Sequence, residues 1–277
     1  MSRQYDIHRL PVPLVTEIER LRAQVTMGWQ QEFLKYQRFG LQDGMKILDL
    51  GCGPGFVTAN LLAALPSATV TALDPDADLL GYARALMVER RLVDQVTFVQ
   101  AHVPDLPLPD DSMDFAVARM LFLHLSDPID AALAIRRVLK PGGRLVIVDI
   151  DDGVFGTTHP PLNALPEVLV TIAHLKAARG GNRYIGRELP RILKASQFTD
   201  VQIDALVHHS DVHGTDGMRQ QFEAQRFAGL LANGAMTPHQ YDEVDRFAQL
   251  LAREEAYAMM LFFMACGTKP VPGRPIW

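Results

Sequence analysis

The chain of 277 residues carries 27 lysines and arginines against 32 aspartates and glutamates, for a net charge of −5, and 48% of it is hydrophobic. This suffices for one large domain, or one core with additions, of ordinary globular composition. An acidic balance without a basic stripe argues against a nucleic-acid surface and turns attention to small molecules. Cys52 and Cys266 lie far apart without metal-ligand spacing, which fits a reducing cytoplasm and no metal site.

In chain order, the first residues, "MSRQYDIHRLPVP", hold no apolar run of signal-peptide length. Ile18, Leu21, Val25, Trp29, Phe33 and Tyr36 then recur at steps of three and four. They predict one long amphipathic helix, stopped by Gly40. From Lys46 the rhythm changes to short apolar runs alternating with helical stretches. Strands are expected over 46–50, 69–73, 96–100, 114–118 and 144–150, with helices over 56–64, 77–91 and 129–139. Such alternation predicts βαβ units and a doubly wound, mostly parallel α/β sheet covered on both faces. "LKPGGRL" (139–145) reads as a glycine turn into the fifth strand.

Beyond Asp151 the pattern loosens. Residues 151–168, with glycine and proline, read as a loop, followed by a helix to about Ala178. Further helices are expected over 187–196 and 215–232, the latter with Thr215 as N-cap, and a strand near 200–208. Thr237 to Gln240 spell a capping box with proline at the first helical position. The apolar run 256–267 is too short for a membrane span and reads as a closing strand buried on both faces.

The stretch "KILDLGCGPGF" (46–56) places Gly51, Gly53 and Gly55 between a strand and a helix. Glycines remove the Cβ atoms that would block a ligand, and the helix N-terminus offers free N–H groups. Two ligand classes use such a turn, dinucleotides and S-adenosylmethionine. Phe56 stands where a dinucleotide turn has its third glycine, and the carboxylate of Asp49 repels a diphosphate but suits a sulfonium and an amino group. Asp74, at the end of the next strand, can accept from both hydroxyls of a ribose, which suits either ligand.

"ILDLGCGPG", the acid of "ALDPD", "LPLPDDSMDFAVARMLFLHLSDP" and "RRVLKPGGRLVIVDID" follow one another in order and spacing. Together they resemble the class I S-adenosylmethionine-dependent methyltransferases, especially the small-molecule group that includes the ubiquinone/menaquinone-type enzymes. The resemblance covers residues 44–151 in motifs and the rest in layout. It implies a Rossmann-like fold with a seven-stranded sheet whose last strand is antiparallel, an N-terminal helix and a helical insertion. In that frame residues 1–43 form a helical lid and 44–277 the methyltransferase domain. Its cofactor core is 44–151, and 152–277 supply substrate-side helices and the last two strands.

By the same resemblance Gly51, Gly53 and Gly55 pass under the methionine part of the cofactor, and Asp49 holds its amino group. Asp74 binds the ribose, Pro75 flanks the adenine, and Val103 offers its backbone N–H. Arg119 lines the methionine end. The family often places an acid for the adenine amino group where this chain has His102, so adenine recognition departs from the pattern there.

Methyl transfer is an in-line displacement that needs alignment first and a base only for some acceptors. His124, just after the fourth strand, is the candidate base. Asp149, Asp151 and Asp152 end the fifth strand on the same edge, without a second cluster that would make a metal site. Trp29, Phe33 and Phe155, with Phe222 and Phe227, are candidates to wall an apolar acceptor pocket. The expected function is O- or C-methylation of a small, apolar or aromatic metabolite by a cytoplasmic protein, with the N-terminal helix as lid, dimer surface or both. The rival readings are a cofactor-binding relative that transfers no methyl and an NAD(P)-dependent oxidoreductase.

Overall fold

The central strands owe their positions to runs of aliphatic residues that have no polar face to offer water. Ile47, Leu48 and Leu50, Ala116 to Ala118, and Leu145 to Val148 are all completely buried, so each of these strands needs a cover on both sides. In the computed structural model, which describes residues 13–273, the covers are helices that alternate with the strands.

The order begins with α1 (Leu14–Arg38), β1 (Lys46–Leu50), α2 (Phe56–Ala64), β2 (Thr69–Asp74), α3 (Ala77–Glu89) and β3 (Val96–Gln100). It continues with β4 (Met113–Arg119), α4 (Pro128–Val138), β5 (Leu139–Ile150), β6 (Gly156–His159), α5 (Leu165–Ala177) and α6 (Leu189–Ala195). The remainder is β7 (Thr199–His209), α7 (Ser210–His213), α8 (Thr215–Phe222), α9 (Ala228–Ala232), α10 (Pro238–Ala252) and β8 (Tyr257–Thr268).

β3, β2, β1, β4 and β5 lie side by side and parallel, and β8 runs antiparallel to β5. β7 lies along the other edge of β8, also antiparallel. The sheet has eight strands rather than seven. The extra one, β6, occupies residues expected to be loop. Met259 and Met260 pair with β6 on one side and with β7 on the other, so β6 resumes the edge that β5 leaves at Ile150. Seven positions across the sheet are therefore kept, one filled by a strand in two pieces. Gly156 makes the rejoining possible, since a Cβ there would lie 1.8 Å from the Met259 carbonyl oxygen.

Other local expectations need adjustment. Residues 139–145 belong to β5, where the register against β4 jumps from Met113–Leu139 to Phe115–Arg144, so the glycine turn is a bulge within the strand. The 215–232 stretch breaks after Phe222 into a 3₁₀ turn (Ala224–Phe227) and α9. Gly214, not Thr215, is the N-cap of α8. The capping box is present at α10: Thr237 Oγ1 accepts from Gln240 N, and Gln240 Oε1 accepts from Thr237 N.

α1 ends as Gly40 predicts. Gly40 has φ +90°, its N–H donates to Gln37, and Leu41 N donates to Tyr36 O. Along its length α1 lies against β7 at Gly28, where a Cβ would be 1.9 Å from the His208 ring. Among the described residues no helix is long and apolar enough to cross a membrane. The reading of residues 1–12 lies outside the described residues.

Candidate active site

The turn after β1 is built by backbone. Gly51, Gly53 and Gly55 have φ of +67°, +52° and +81°, the left-handed region that only glycine enters at little cost. The N–H groups of Gly51 and Cys52 both donate to the Leu73 carbonyl, which ties the turn to β2. Space explains the spacing further. A Cβ on Gly55 would meet Ala83 Cβ of α3 at 2.9 Å, whereas one on Gly53 would meet nothing within 4 Å. Gly55 is small because the helices are close, and Gly53 because its bare face is the floor of a cavity.

That cavity holds about 660 Å³ and runs along the C-terminal edge of the parallel strands. Asp49, Gly51, Gly53, Asp74, Pro75, His102, Val103 and Arg119 all line it, whereas Gly55, also expected on the cofactor side, lies behind the turn against α3 and does not. Asp74 Oδ2 accepts from Gly53 N and Oδ1 from Asp76 N, each at 2.9 Å, which fixes the carboxylate at the rim of the turn. Burial raises its pKa above the usual carboxylate range. Asp49 lies deeper. Its Oδ2 accepts from Thr58 Oγ1 at 2.6 Å, and burial pushes its pKa up to about 6. The carboxylate is thereby held against the first turn of α2, where the helix dipole favours it.

Arg119 points away from a simple lining role. Its Nε donates to both oxygens of Glu32 in α1, at 3.1 and 3.0 Å, and Nη2 donates to Gln24 O. Glu32 also accepts from Tyr36 Oη at 2.6 Å, and Tyr36 is fully buried. This buried chain fastens α1 to the end of β4. The Glu32–Tyr36 spacing of four on one helix face is the signal by which the sequence could have given it away.

The other part of the cavity is lined by Phe155 after β5, Leu165, Leu169 and Ile172 of α5, Phe222 of α8, Phe227, and Leu230 of α9. Trp29 and Phe33 do not line it. They pack on each other, with ring centroids 5.6 Å apart, and against the core. α1 instead turns Glu17, Arg20, Leu21, Gln24 and Val25 to the cavity, because its N-terminal half, not its middle, crosses above the opening.

His124 lines the cavity and contacts Lys176 Nζ through Nδ1. Burial first, then the charges of Lys176 and Arg183, hold the imidazole well below its usual pKa, so it is neutral. An ammonium has only donors, so Nδ1 accepts and Nε2 carries the proton. His124 therefore presents an N–H, and as long as Lys176 is charged it does not offer the basic nitrogen expected of it. Burial and the neighbouring Arg183 and Arg179 lower Lys176 to about 8. The acids after β5 are taken up structurally. Asp149 accepts from Leu123 N and Ile150 N, Asp151 pairs with Arg187, and Asp152 with Arg183. Among the described residues no cluster could hold a metal ion.

Comparisons with known proteins agree with this geometry. Residues 48–147 match the family model described as "Methyltransferase domain". The methyltransferase GfsG of Streptomyces halstedii is 33% identical over 166 residues, which are 60% of this chain and 59% of that protein. The ubiquinone/menaquinone biosynthesis C-methyltransferase UbiE of Psychromonas ingrahamii is 31% identical over 117 residues, 42% of this chain and 47% of its own length. The chain spans about half the length of the curated relatives it matches. In fold it is similar to the phosphoethanolamine N-methyltransferase 2 of Haemonchus contortus. The TM-score is 0.58 at 18% identity, covering 88% of this chain and 53% of the other. Residues 48–147 are thus a methyltransferase domain of the class I, S-adenosylmethionine-dependent kind, to which α1 and the segments after β5 add the remaining walls of the cavity.

Proposed function

We propose that the whole chain transfers a methyl group from S-adenosylmethionine to a small, largely apolar acceptor, at oxygen or carbon rather than nitrogen. One observation carries the reading: a single cavity of about 660 Å³, within the ~300–1,000 Å³ usual for ligand sites, joins the glycine turn and Asp74 to an aliphatic and aromatic chamber. The quinone-pathway relative is named a C-methyltransferase, which supports carbon as a receiving atom.

The residues fit the cofactor. Gly53 leaves bare backbone where a Cβ would intrude, Asp74 is positioned to take ribose hydroxyls, and Asp49 favours a cationic neighbour. Bound there, S-adenosylmethionine supplies an electrophilic methyl on a sulfonium. The chain's own work is to align and to exclude water. Leu169, Ile172 and Phe222 press the acceptor towards the turn, and α1 covers the opening.

Calorimetric titration of S-adenosylmethionine, with NADH in parallel and Asp74→Ala as control, tests the reading. Binding to the wild type, an affinity loss of about 100-fold in the variant, and no response to NADH are expected. NADH binding in place of S-adenosylmethionine, or neither, overturns it.

A further inference from the structure

The cavity face of α5 changes character along its length. Leu165, Leu169, Ile172 and Lys176 follow at steps of four, three and four, so they form one stripe, and Arg179 continues it just past the helix end. The stripe is apolar for its first three positions and cationic for the rest. Over the eleven residue steps from Leu165 to Lys176 it extends roughly 16 Å. Arg183, on the segment that follows, also lines the cavity.

The charges in this corner do not cancel. Arg183 is balanced by Asp152, which both its Nε and Nη2 reach. Asp149 stands nearby, but burial raises it to about 7, so near neutrality it is a weak counter-charge. His124 is neutral. Among the described residues neither Lys176 nor Arg179 is paired with a carboxylate. A protein of net charge −5 has thus gathered unbalanced positive charge at one end of an apolar chamber. Burial first, and then the neighbouring Arg183 and Arg179, lower the pKa of Lys176, and an incoming anion would offset the repulsion between these cations.

We propose that the acceptor is an amphiphile with an anionic group, a carboxylate or a phosphate, held by Lys176 and Arg179, while its apolar body lies along Leu165, Leu169 and Ile172. His124 serves as a positioning residue, fixing the Lys176 ammonium through Nδ1. This assignment rests on the methyltransferase reading above.

The test titrates octanoate, octyl phosphate and 1-octanol into the wild-type protein saturated with S-adenosylhomocysteine. The same is done with Lys176→Met and Arg179→Gln. At least one anionic probe should bind about 10-fold or more tightly than octanol. The comparison of octanoate with octyl phosphate tells which headgroup is preferred. Each variant should lose that preference and keep its affinity for S-adenosylhomocysteine. Arg179→Gln alters an exposed side chain and carries the test if Lys176→Met fails to fold. Equal binding of octanol and the anions, or no anion binding, overturns the proposal. So does a parallel fall in S-adenosylhomocysteine affinity in folded variants, which would assign the cations to the cofactor's own carboxylate. Failure of S-adenosylhomocysteine to bind the wild type is read before any probe is added, and it overturns the methyltransferase reading itself.

Discussion

The two halves of the cavity are made by different means. On the cofactor side the shape comes from backbone, with left-handed torsions at Gly51, Gly53 and Gly55 and N–H groups clamped to Leu73 O and Asp74. On the acceptor side it comes from side chains of α1, α5, α8 and α9, which are distant in sequence and are brought together by the fold. The first kind of wall admits few substitutions, because residues with a Cβ enter those torsions only at a cost and would intrude on the floor or the neighbouring helix. The second admits many, because an apolar surface can be assembled from any large side chain. One half is suited to a fixed ligand and the other to a variable one.

The comparison can be broken hardest where the halves are joined. Glu32→Gln leaves Arg119 buried without its counter-charge, and a stability loss of about 3–5 kcal/mol is expected in urea unfolding. A loss below about 1 kcal/mol would mean that α1 and β4 are not held by this pair. Within the cofactor half, Gly55→Ala adds a clash with Ala83 to an unfavourable torsion. It should cost about 1–3 kcal/mol in the same experiment. Gly53→Ala carries only the torsional part and should melt closer to wild type, yet lose more cofactor affinity than its small stability change accounts for.

The acceptor half should respond to pH instead. A bound anion holds the proton on Lys176, so its pKa is higher in the complex than the value of about 8 without it. Octanoate affinity therefore falls as pH rises above about 8, by up to about tenfold per pH unit until the pKa of the complex is reached. Asp149, Arg179, Arg183 and His124 face the same ammonium, and Lys176→Met should abolish the fall above pH 8. The smallest effect is expected at Phe33. Phe33→Leu should cost about 1 kcal/mol of stability and leave S-adenosylhomocysteine and octanoate affinities within about twofold.

The same contrast decides what could be read from residues alone. Strands β1 to β5 and the turn were legible because aliphatic runs and glycines have few structural uses. The cofactor-side residues from Asp49 to Arg119 follow from that frame and, Gly55 apart, do meet at one cavity. Trp29 and Phe33 were misplaced because helical periodicity tells which residues face the core but not which stretch of a 25-residue helix crosses an opening. Lys176 went unnoticed because an isolated lysine near a helix end usually points to solvent. Only the 4-3-4 spacing after Leu165 hinted that it shares a face with apolar neighbours. β6 was hidden because a four-residue strand bounded by glycine and proline carries no alternation to detect.

The place of β8 between β5 and β7 has a consequence for biosynthesis. Synthesis proceeds from the N-terminus, so β1, β2 and β4 leave the ribosome long before residues 257–268 do. The glycine turn and its partners Leu73 and Asp74 can assemble while more than a hundred residues remain untranslated. The edge of β5 stays bare until its antiparallel neighbour is made, an interval in which an unpaired strand with the aliphatic run Leu145 to Val148 is open to wrong partners. A nascent chain that binds its cofactor early would pass through that interval with half of its fold already fastened.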